Sequence, residues 1–307
     1  MILLYHLGYG LLFRLKRLRK RHRIFDKPAR TYEYYFSLLL NRKIRPWMES
    51  HPTKRGLNTR TRPEKYIVSL TSFPTRINHV HIPIETLLRQ SFKPDAIILW
   101  LAESQFPGKV LPQRLLDLQQ RGVTIGWCDD LRSHKKYFYS FMDYPDANII
   151  LADDDLFYPR DTLYRLAKLH KKHPSDICAM SAQIIGPEIS SPPSVWPAQQ
   201  VGKRYISSME AQAFTGAGSL FPPGWCPEEI FDKEKAMAMA GTADDLWLKA
   251  MSLVAQVPTT VENPVRGFPI EVQIENNTTL FQQNKASGEN RNDLTWSALV
   301  KEFGLEP

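Results

Sequence analysis

From residue 66 onward, short apolar runs alternate with amphipathic stretches along the chain. The apolar runs, bounded by turn residues, predict strands at Tyr66–Ser72, Asp95–Ala102, Val123–Cys128, Asn148–Ala152 and Ile177–Ile185. The amphipathic stretches between them predict helices at Pro83–Gln90, Pro112–Arg121, Lys135–Tyr144 and Arg160–His173. Such alternation with short connections favours an α/β fold, in which a mostly parallel sheet is flanked by helices.

The first 63 residues have a different pattern. Residues 1–13 are apolar and aromatic, and residues 14–23 contain seven Lys or Arg. This apolar segment is shorter than the roughly 20 residues that span a bilayer, and its basic residues follow it, whereas those of a secretory signal precede it. We interpret it as an interfacial helical arm that inserts apolar side chains into an anionic membrane. The side chains concerned are Leu3, Leu4, Tyr5, Leu7, Leu11, Leu12 and Phe13.

Two further points bear on this arm. The alternative is a helix that packs its apolar face on the body of the protein, since periodicity alone does not identify the surface that the face meets. Residues 50–63 contain Pro52, Gly56 and Pro63, which predicts a linker. We therefore expect an arm and linker at 1–63 and a second domain at 64–307. We also expect that a protein without residues 1–23 leaves the membrane but retains its chemistry.

The charge distribution restricts the class of partner. The chain of 307 residues has a net charge of +8, but residues 1–65 hold 17 Lys or Arg against 4 Asp or Glu. The remaining residues are mildly acidic, which argues against nucleic acid and favours an anionic membrane surface as the partner of residues 1–23. The three cysteines, Cys128, Cys178 and Cys226, are widely spaced and form no metal-binding pair. These features predict a cytoplasmic protein held peripherally on the inner face of the cell membrane.

Three consecutive carboxylates, Asp153, Asp154 and Asp155, follow the predicted strand Asn148–Ala152. Like charges this close repel one another, so a cation or a solvated loop has to compensate them. Alternate side chains of an extended chain share a face, so Asp153 and Asp155 can converge on one ion while Asp154 points elsewhere. Oxygen ligands of this kind suit Mn²⁺ or Mg²⁺. A solvated acidic turn is the alternative.

Other polar clusters are expected at the same edge of the sheet. Thr71, Ser72 and Arg76 follow the first strand, and Asp129 and Asp130 follow the third. In open α/β sheets, ligands bind beyond the carboxyl ends of the strands, where these clusters would meet. The sequence contains no His-Glu-x-x-His, no P-loop and no Gly-x-Ser-x-Gly, which removes zinc-hydrolase, P-loop and serine-hydrolase interpretations.

Several short motifs in this order resemble a known family. They are Ser69–Arg76, Asp129–Asp130, His134–Lys136, Ala152–Asp155, Phe214–Gly224 and Gly241–Leu248. Together they resemble the nucleotide-sugar-binding half of a glycosyltransferase with the GT-A fold. The most similar type is the family-two-like bacterial enzymes that build cell-surface polysaccharides. The resemblance extends from about residue 66 to residue 250.

The resemblance implies a set of donor-binding residues. A Mn²⁺ or Mg²⁺ ion held by Asp153 and Asp155 would stabilise the charge of a nucleoside diphosphate leaving group. Lys136, with Lys135 or Arg76 as alternatives, would contact the phosphates. Asp129 would bind the nucleobase or ribose, or else cap its own loop. The rest of the predicted donor site comprises Thr71, Ser72, Asp154, Gly216 and Gly218, the glycines having either this use or that of a structural bulge.

The resemblance also implies a catalytic base. The second acidic motif opens a helix, and its favoured form is Glu-Asp where this chain has Asp244 and Asp245. Asp245 would accept the proton of the acceptor hydroxyl, and the alternative for either residue is capping of the helix. Trp196, Trp225 and Trp247 are candidates for stacking on a sugar or for core packing. The polar tail from Asn284 to Asp293 has no clear metal-binding histidine, so a third protein ligand stays open.

Three functional hypotheses follow from these observations. The first is a metal-dependent glycosyltransferase that moves a sugar, with inversion, from a nucleoside diphosphate sugar to a hydroxyl of a glycan or glycolipid acceptor. The second is a nucleotidyltransferase with the same Asp-x-Asp site, which would not need Asp245. The third is a non-catalytic membrane-binding or nucleic-acid-binding protein that uses the basic arm.

Overall fold

The computed structural model of the chain describes residues 1–197, 205–261, 269–274 and 290–305. Within these ranges the helices, α1 to α10, lie at Ile2–Arg21, Asp26–Leu39, Arg45–Ser50, His81–Leu88, Gln113–Gln120, Lys135–Asp143, Thr162–His170, Lys233–Ala240, Asp244–Val254 and Arg291–Phe303. The strands, β1 to β12, lie at Tyr66–Thr71, Ala96–Ala102, Thr124–Cys128, Asn148–Leu151, Leu156–Phe157, Ile177–Ala179, Ala182–Ile184, Tyr205–Ser208, Ala211–Ala213, Ser219–Phe221, Thr259–Val261 and Ile270–Glu271. Every helix predicted from the sequence, and each of the first four strands, is present with ends shifted by three residues or fewer.

An eight-stranded sheet has the order β3-β2-β1-β4-β10-β6-β11-β8. Strands β3, β2, β1 and β4 are parallel, β10 is antiparallel to both β4 and β6, and β11 is parallel to β6. Strand β8 closes the sheet antiparallel to β11. Six of the eight strands therefore point the same way, which confirms the predicted mostly parallel sheet.

Both faces of the sheet are covered, because alternate residues of each buried strand point to opposite sides. Ile67 and Ile149 contribute to a core that includes residues of α6, α9 and α10. Val68 and Ile150, their neighbours in sequence, contribute to a second core with residues of α4, α5 and α7. This double burial explains why the strands appear in the sequence as continuous apolar runs.

The strand predicted at Ile177–Ile185 is divided into two. Strand β6 lies in the large sheet, whereas β7 pairs with β9 in a separate two-stranded sheet. The chain leaves the large sheet at Met180, which lies between the two strands and whose N–H donates to the carbonyl of Gly218. The prediction of a single strand was therefore wrong, since periodicity does not show where a chain leaves one sheet for another.

The N-terminal helices pack on the body of the protein. Tyr5, Tyr9 and Leu12 of α1 are buried in a cluster with Phe36, Leu40, Ile44 and Met48, and with Ile82, Phe157, Ile270 and Val272 of the body. The alternative of a packing helix is thus correct for this face. Tyr5 and Leu12 are buried and Phe13 packs partly buried against the same cluster, so these three do not belong to a membrane-inserting set. Residues 51–65, all of them described, form no helix or strand.

The opposite face of α1 is exposed. Leu3, Leu4, Leu7 and Leu11 are 44–65% exposed, and Leu18 continues their stripe toward the end of the helix. Residues three, four and seven apart share one side of a helix, so these leucines form one continuous apolar surface. We call Leu3, Leu4, Leu7, Leu11 and Leu18 the leucine face. Among the described residues no helix is both long and apolar enough to cross a bilayer.

Candidate active site

Asp153, Asp154 and Asp155 lie on the loop between β4 and β5, at the carboxyl edge of the sheet. We call this segment the acidic loop. Thr71, at the end of β1, is partly exposed at the same edge, and its hydroxyl donates to the carbonyl of Trp100 at 2.8 Å. Strand β10 runs the other way, and its register pairs Ser219 with Leu151. Residues just before β10 therefore reach the same edge as Asp153, so the fold brings the first acidic motif and the glycine-bearing segment together.

Asp154 is buried, and its partners differ from those of Asp153. The alternation expected of an extended chain does not apply here, because Asp154 and Asp155 lie in a turn and share Arg76, while Asp153 contacts Lys136. The Ser72 hydroxyl donates to Asp154 Oδ2 at 2.6 Å, and Arg76 Nη1 donates to Asp154 Oδ1 at 2.8 Å. Ser72 and Arg76 were both expected to contact the donor. In this structure they fix the central carboxylate of the loop.

Asp155 shares the Arg76 guanidinium, with Nη1 2.8 Å from Asp155 Oδ2. Burial raises the pKa of Asp155 to about 7, and the negative charges of Asp154 and Asp153 add to this effect. One guanidinium therefore does not compensate the carboxylates of this loop. A further positive charge would favour their ionised form.

A second chain of charges begins at Asp153. Lys136 Nζ lies 2.7 Å from Asp153 Oδ1 and 3.0 Å from Asp244 Oδ2. Burial disfavours the charged ammonium, but Asp153 and Asp244 outweigh it and raise the pKa of Lys136. The buried lysine thus stays charged and links the two acidic motifs, which are about 90 residues apart in the sequence.

The pKa values of Asp244 and Asp245 are shifted in opposite directions. Burial opposes ionisation of Asp244, but Lys136 and then His134 outweigh it, so the pKa of Asp244 is lowered. Burial and the adjacent Asp244 charge raise the pKa of Asp245 to about 7. Thr215 donates to Asp245 Oδ1 through its hydroxyl, at 2.5 Å, and through its N–H, at 3.2 Å. Neither carboxylate caps α9 by a hydrogen bond to its backbone.

Gly216 and Gly218 have different reasons to be glycine. A Cβ on Gly216 would lie 1.8 Å from Asp153 Oδ2, so a larger residue would displace that carboxylate. Gly218 has a φ of +102°, which L side chains rarely adopt, and it packs near Thr162 and Met180. Gly216 therefore belongs to the acidic site, while Gly218 is required by the backbone turn before β10.

The rim of the site carries a third acidic group. Asp129 is exposed and accepts from Lys233 Nζ at 2.6 Å, and this bond lowers the pKa of Asp129. Asp130 accepts from Lys135 Nζ at 2.8 Å and from the N–H of Arg132 at 2.9 Å. Lys135 is thus held by Asp130 and does not join Lys136. Asp129 is the more accessible of the two carboxylates.

Two residues of the site were missed from the sequence. Thr215 lies inside the quoted segment Phe214–Gly224, where its hydroxyl could have been noted as a partner for a carboxylate. The Tyr158 hydroxyl accepts from the N–H of Asp153 at 2.6 Å and donates to the carbonyl of Gly216 at 2.7 Å. It therefore joins the acidic loop to the glycine-bearing segment.

The three tryptophans and three cysteines take no part in the site. Trp196, Trp225 and Trp247 are buried in the core, so the core-packing alternative is correct for each. All three thiols are free, and burial raises the pKa of Cys128 to about 12. An un-ionised thiol is a poor nucleophile, so Cys128 is not a candidate for nucleophilic chemistry.

The residues of the site fit a divalent cation. Five carboxylates, those of Asp153, Asp154, Asp155, Asp244 and Asp245, are accompanied by the two cations Arg76 and Lys136. Among the residues that the structure describes, no group of three or more His, Cys, Asp or Glu is arranged as a metal centre. Residues 284–289 of the polar tail lie outside the described residues. An ion here would take few protein ligands and the remainder from phosphate and water, as Mg²⁺ commonly does.

Comparison with known proteins gives likenesses of structure only. No family model matches the sequence, and a search of curated proteins found no match. S. aureus TarS 1-349 in complex with UDP-GlcNAc has a TM-score of 0.49 at 8% identity, covering 78% of this chain and 66% of that one. TarS 1-349 alone has a TM-score of 0.42 at 10% identity, covering 65% and 58%. A 4-diphosphocytidyl-2C-methyl-D-erythritol synthase has a TM-score of 0.41 at 12% identity, covering 69% and 94%.

The lengths of these proteins also differ from that of this chain. This chain spans 58% of TarS 1-349 and 35% of a longer TarS chain. At 8–12% identity the likeness concerns the fold alone. The chemistry of this protein has to be argued from its own side chains.

Proposed function

We propose that this protein is a metal-dependent glycosyltransferase. It moves a sugar from a nucleoside diphosphate sugar to a hydroxyl group of a glycan or glycolipid acceptor. The observation that carries the proposal is the site itself, where the described residues bring five carboxylates and two cations together at the carboxyl edge of the sheet. One of these carboxylates is Asp245, whose pKa burial raises to about 7, and the described hydrogen bonds from Thr215 both go to its Oδ1.

The donor is bound through its diphosphate. Asp153 and Asp155 would hold a Mn²⁺ or Mg²⁺ ion, which would supply positive charge to the diphosphate. Arg76 and Lys136 lie beside these carboxylates and add cationic donors to the same region. Asp129 is accessible on the rim, in a position to accept hydrogen bonds from the ribose or nucleobase.

Asp245 is the general base of the transfer. Its ionised carboxylate takes the proton of the acceptor hydroxyl while the hydroxyl oxygen forms a bond to the anomeric carbon. The bond between that carbon and the diphosphate oxygen breaks, and the nucleoside diphosphate leaves with the electron pair. Attack from the face opposite the leaving group inverts the anomeric configuration. Asp244 holds Lys136 and does not exchange protons.

The leucine face of α1 holds the enzyme on an anionic membrane, at the inner face of the cell membrane. The leucines are exposed, and the exposed Arg14 and Arg17 lie on the same helix. Apolar insertion and attraction of basic residues together bind a membrane better than either does alone. A lipid-linked acceptor would then meet the enzyme at the surface where both are confined.

The proposed function is tested by donor binding and transfer. Wild-type protein is screened with a panel of nucleotide sugars for thermal stabilisation that depends on Mn²⁺ and is lost on chelation. The variant Asp153→Asn should lose this stabilisation, whereas the matched variant Asp146→Asn, at an exposed turn of the body, should retain it. Transfer is then measured as release of nucleoside diphosphate that depends on an added glycan acceptor.

The outcomes separate the three hypotheses. Release of nucleoside diphosphate with transfer of the sugar supports the proposal. Release of pyrophosphate from a nucleoside triphosphate, unaffected by Asp245→Asn, would identify a nucleotidyltransferase instead. A protein that binds vesicles but no nucleotide with any metal would refute the enzymatic assignment.

A further inference from the structure

Two tyrosines of α1 are directed at the loop that carries the acidic residues. The Tyr5 hydroxyl donates to the carbonyl of Tyr158 at 2.5 Å, and the Tyr9 hydroxyl donates to the carbonyl of Phe157. Both side chains are buried, at 1% and 3% exposure. They join residues about 150 positions apart in the chain, so the contacts belong to the tertiary fold and not to the local structure of the helix.

The contacted carbonyls lie next to the site. Strand β5, Leu156–Phe157, begins directly after Asp155, and Tyr158 follows it. The ring hydroxyl of Tyr158 then reaches back to the N–H of Asp153 and to the carbonyl of Gly216. Tyr158 therefore connects Tyr5 with Asp153. Its backbone carbonyl accepts from the hydroxyl of Tyr5 on α1, and its own hydroxyl contacts the acidic loop.

A second strand, β12, contacts both β5 and the end of the acidic loop. Strand β12, Ile270–Glu271, pairs antiparallel with β5, and the N–H of Val272 donates to the carbonyl of Asp155 at 2.7 Å. The Tyr9 hydroxyl also accepts from the N–H of Ile270 at 3.2 Å. Tyr9 thus contacts both strands of this small sheet.

The N-terminal helices reinforce β12 at a further point. The side-chain amide of Asn41, beside α2, donates to the carbonyl of Glu271 at 3.1 Å, and its oxygen accepts from the N–H of Gln273 at 2.7 Å. Side chains of the first 50 residues therefore contact both strands of the small sheet that follows the acidic loop. A loop of consecutive like charges needs such support, because repulsion among Asp153, Asp154 and Asp155 favours spreading.

We propose that Tyr5 and Tyr9 are positioning residues that set the geometry of the donor-binding carboxylates Asp153 and Asp155. The N-terminal helix is then part of the framework of the donor site, in addition to its exposed leucine face. Removal of either hydroxyl leaves a buried carbonyl without its donor and frees the strand that follows the acidic loop. This inference rests on the proposed function for the identity of the ligand, but the restraint on the loop does not.

The test compares Tyr5→Phe/Tyr9→Phe with Tyr34→Phe/Tyr35→Phe in the full chain. Tyr34 and Tyr35 are 61% and 63% exposed, so the control also removes two tyrosine hydroxyls, but from the surface of α2. Affinity for Mn²⁺ with UDP is measured by calorimetry, and amide exchange of residues 153–158 is followed by mass spectrometry. The single variant Tyr9→Phe is measured in parallel and is used if the double variant does not fold.

We expect affinity for the Mn²⁺-nucleotide pair to fall on the order of 10- to 100-fold, as for other residues that orient metal ligands. The donor KM should rise by a similar factor, with a smaller change in kcat at saturating donor. Amides of residues 153–158 should exchange faster, and the control should match wild type in every measurement.

Two results overturn the inference. Unchanged exchange at residues 153–158 means that the hydroxyls do not restrain the loop. A lower melting temperature with unchanged nucleotide affinity means that they support only the fold. If wild-type protein binds no nucleoside diphosphate, the proposed function fails, and the exchange measurement still decides whether the two hydroxyls hold the loop.

Discussion

Replacement of Asp245 by Asn is the most direct test of the proposed chemistry. The amide retains the shape of the carboxylate, and its oxygen can still accept both hydrogen bonds from Thr215. The amide nitrogen of Asn, which replaces the other carboxylate oxygen, cannot accept a proton. Because proton transfer by a positioned base commonly contributes about 10²–10⁴-fold, kcat should fall by that factor. Donor affinity should change little, since the carboxylate acts on the acceptor.

The pH dependence of the wild-type rate provides a second test of Asp245 as the general base. The pKa of Asp245 is raised to about 7, so the base is mostly ionised at pH 8 and mostly protonated at pH 6. The rate should therefore fall about tenfold between these values, with a plateau above pH 8. Thr215→Val removes a hydroxyl that favours the ionised form, so the acid limb should move to higher pH.

The assay is steady-state release of nucleoside diphosphate over a pH series, with donor affinity measured separately by calorimetry. Asp244→Asn is the matched control, because it makes the same chemical change one residue away. Asp244 is paired with Lys136, so this variant should weaken donor binding more than it lowers kcat. A near-normal kcat for Asp245→Asn, or a profile that does not respond to Thr215→Val, would refute the assignment of the base.

Three further variants test other parts of the site and surface. Asp155→Asn should weaken Mn²⁺-dependent nucleotide binding in calorimetry by about tenfold or more, without a lower melting temperature at pH 8, because it removes a buried like charge. Gly216→Ala places a Cβ 1.8 Å from Oδ2 of Asp153, so nucleotide stabilisation in a thermal-shift assay should be lost. Leu7→Gln with Leu11→Gln should reduce cosedimentation with anionic vesicles, while added salt weakens wild-type binding only in part.

The parallel half of the sheet was predictable from the sequence for a physical reason. Strands buried on both faces favour apolar residues at successive positions, so β2 appears as the uninterrupted apolar run Ala96–Ala102 and β4 contains Ile149–Leu151. A helix such as α5 shows the helical period because only one of its sides is buried, through Leu115 and Leu118. Thus Asp153 and Thr71 could be placed at the carboxyl edge before the structure was known.

The antiparallel half was not predictable in the same way. Strand β10 has three residues and enters between β4 and β6, which are themselves separated from it by long stretches of chain. No local pattern marks such a strand, because its stability comes from partners distant in sequence. The pairing of Asp153 with Lys136 and of Asp245 with Thr215 depends on this arrangement. The sequence could name the acidic residues but not their partners.

The N-terminal helix shows the limit of periodicity most clearly. Its apolar residues occupy two sides, and only the structure shows which side is buried. Tyr5 and Tyr9 carry hydroxyls that need partners when buried, and these donate to carbonyls beside the acidic loop. The leucine face is exposed, although its residues are as apolar as the buried Leu12.

The arrangement also decides how the membrane hypothesis can be tested. Deletion of residues 1–23 would remove the buried tyrosines together with the leucine face, so the earlier expectation of unimpaired chemistry after truncation does not agree with this packing. Loss of activity in such a truncation would not distinguish a membrane role from a role in the donor site. Substitutions confined to the leucine face leave the buried side intact. They change the surface available to the membrane without disturbing the contacts of Tyr5 and Tyr9.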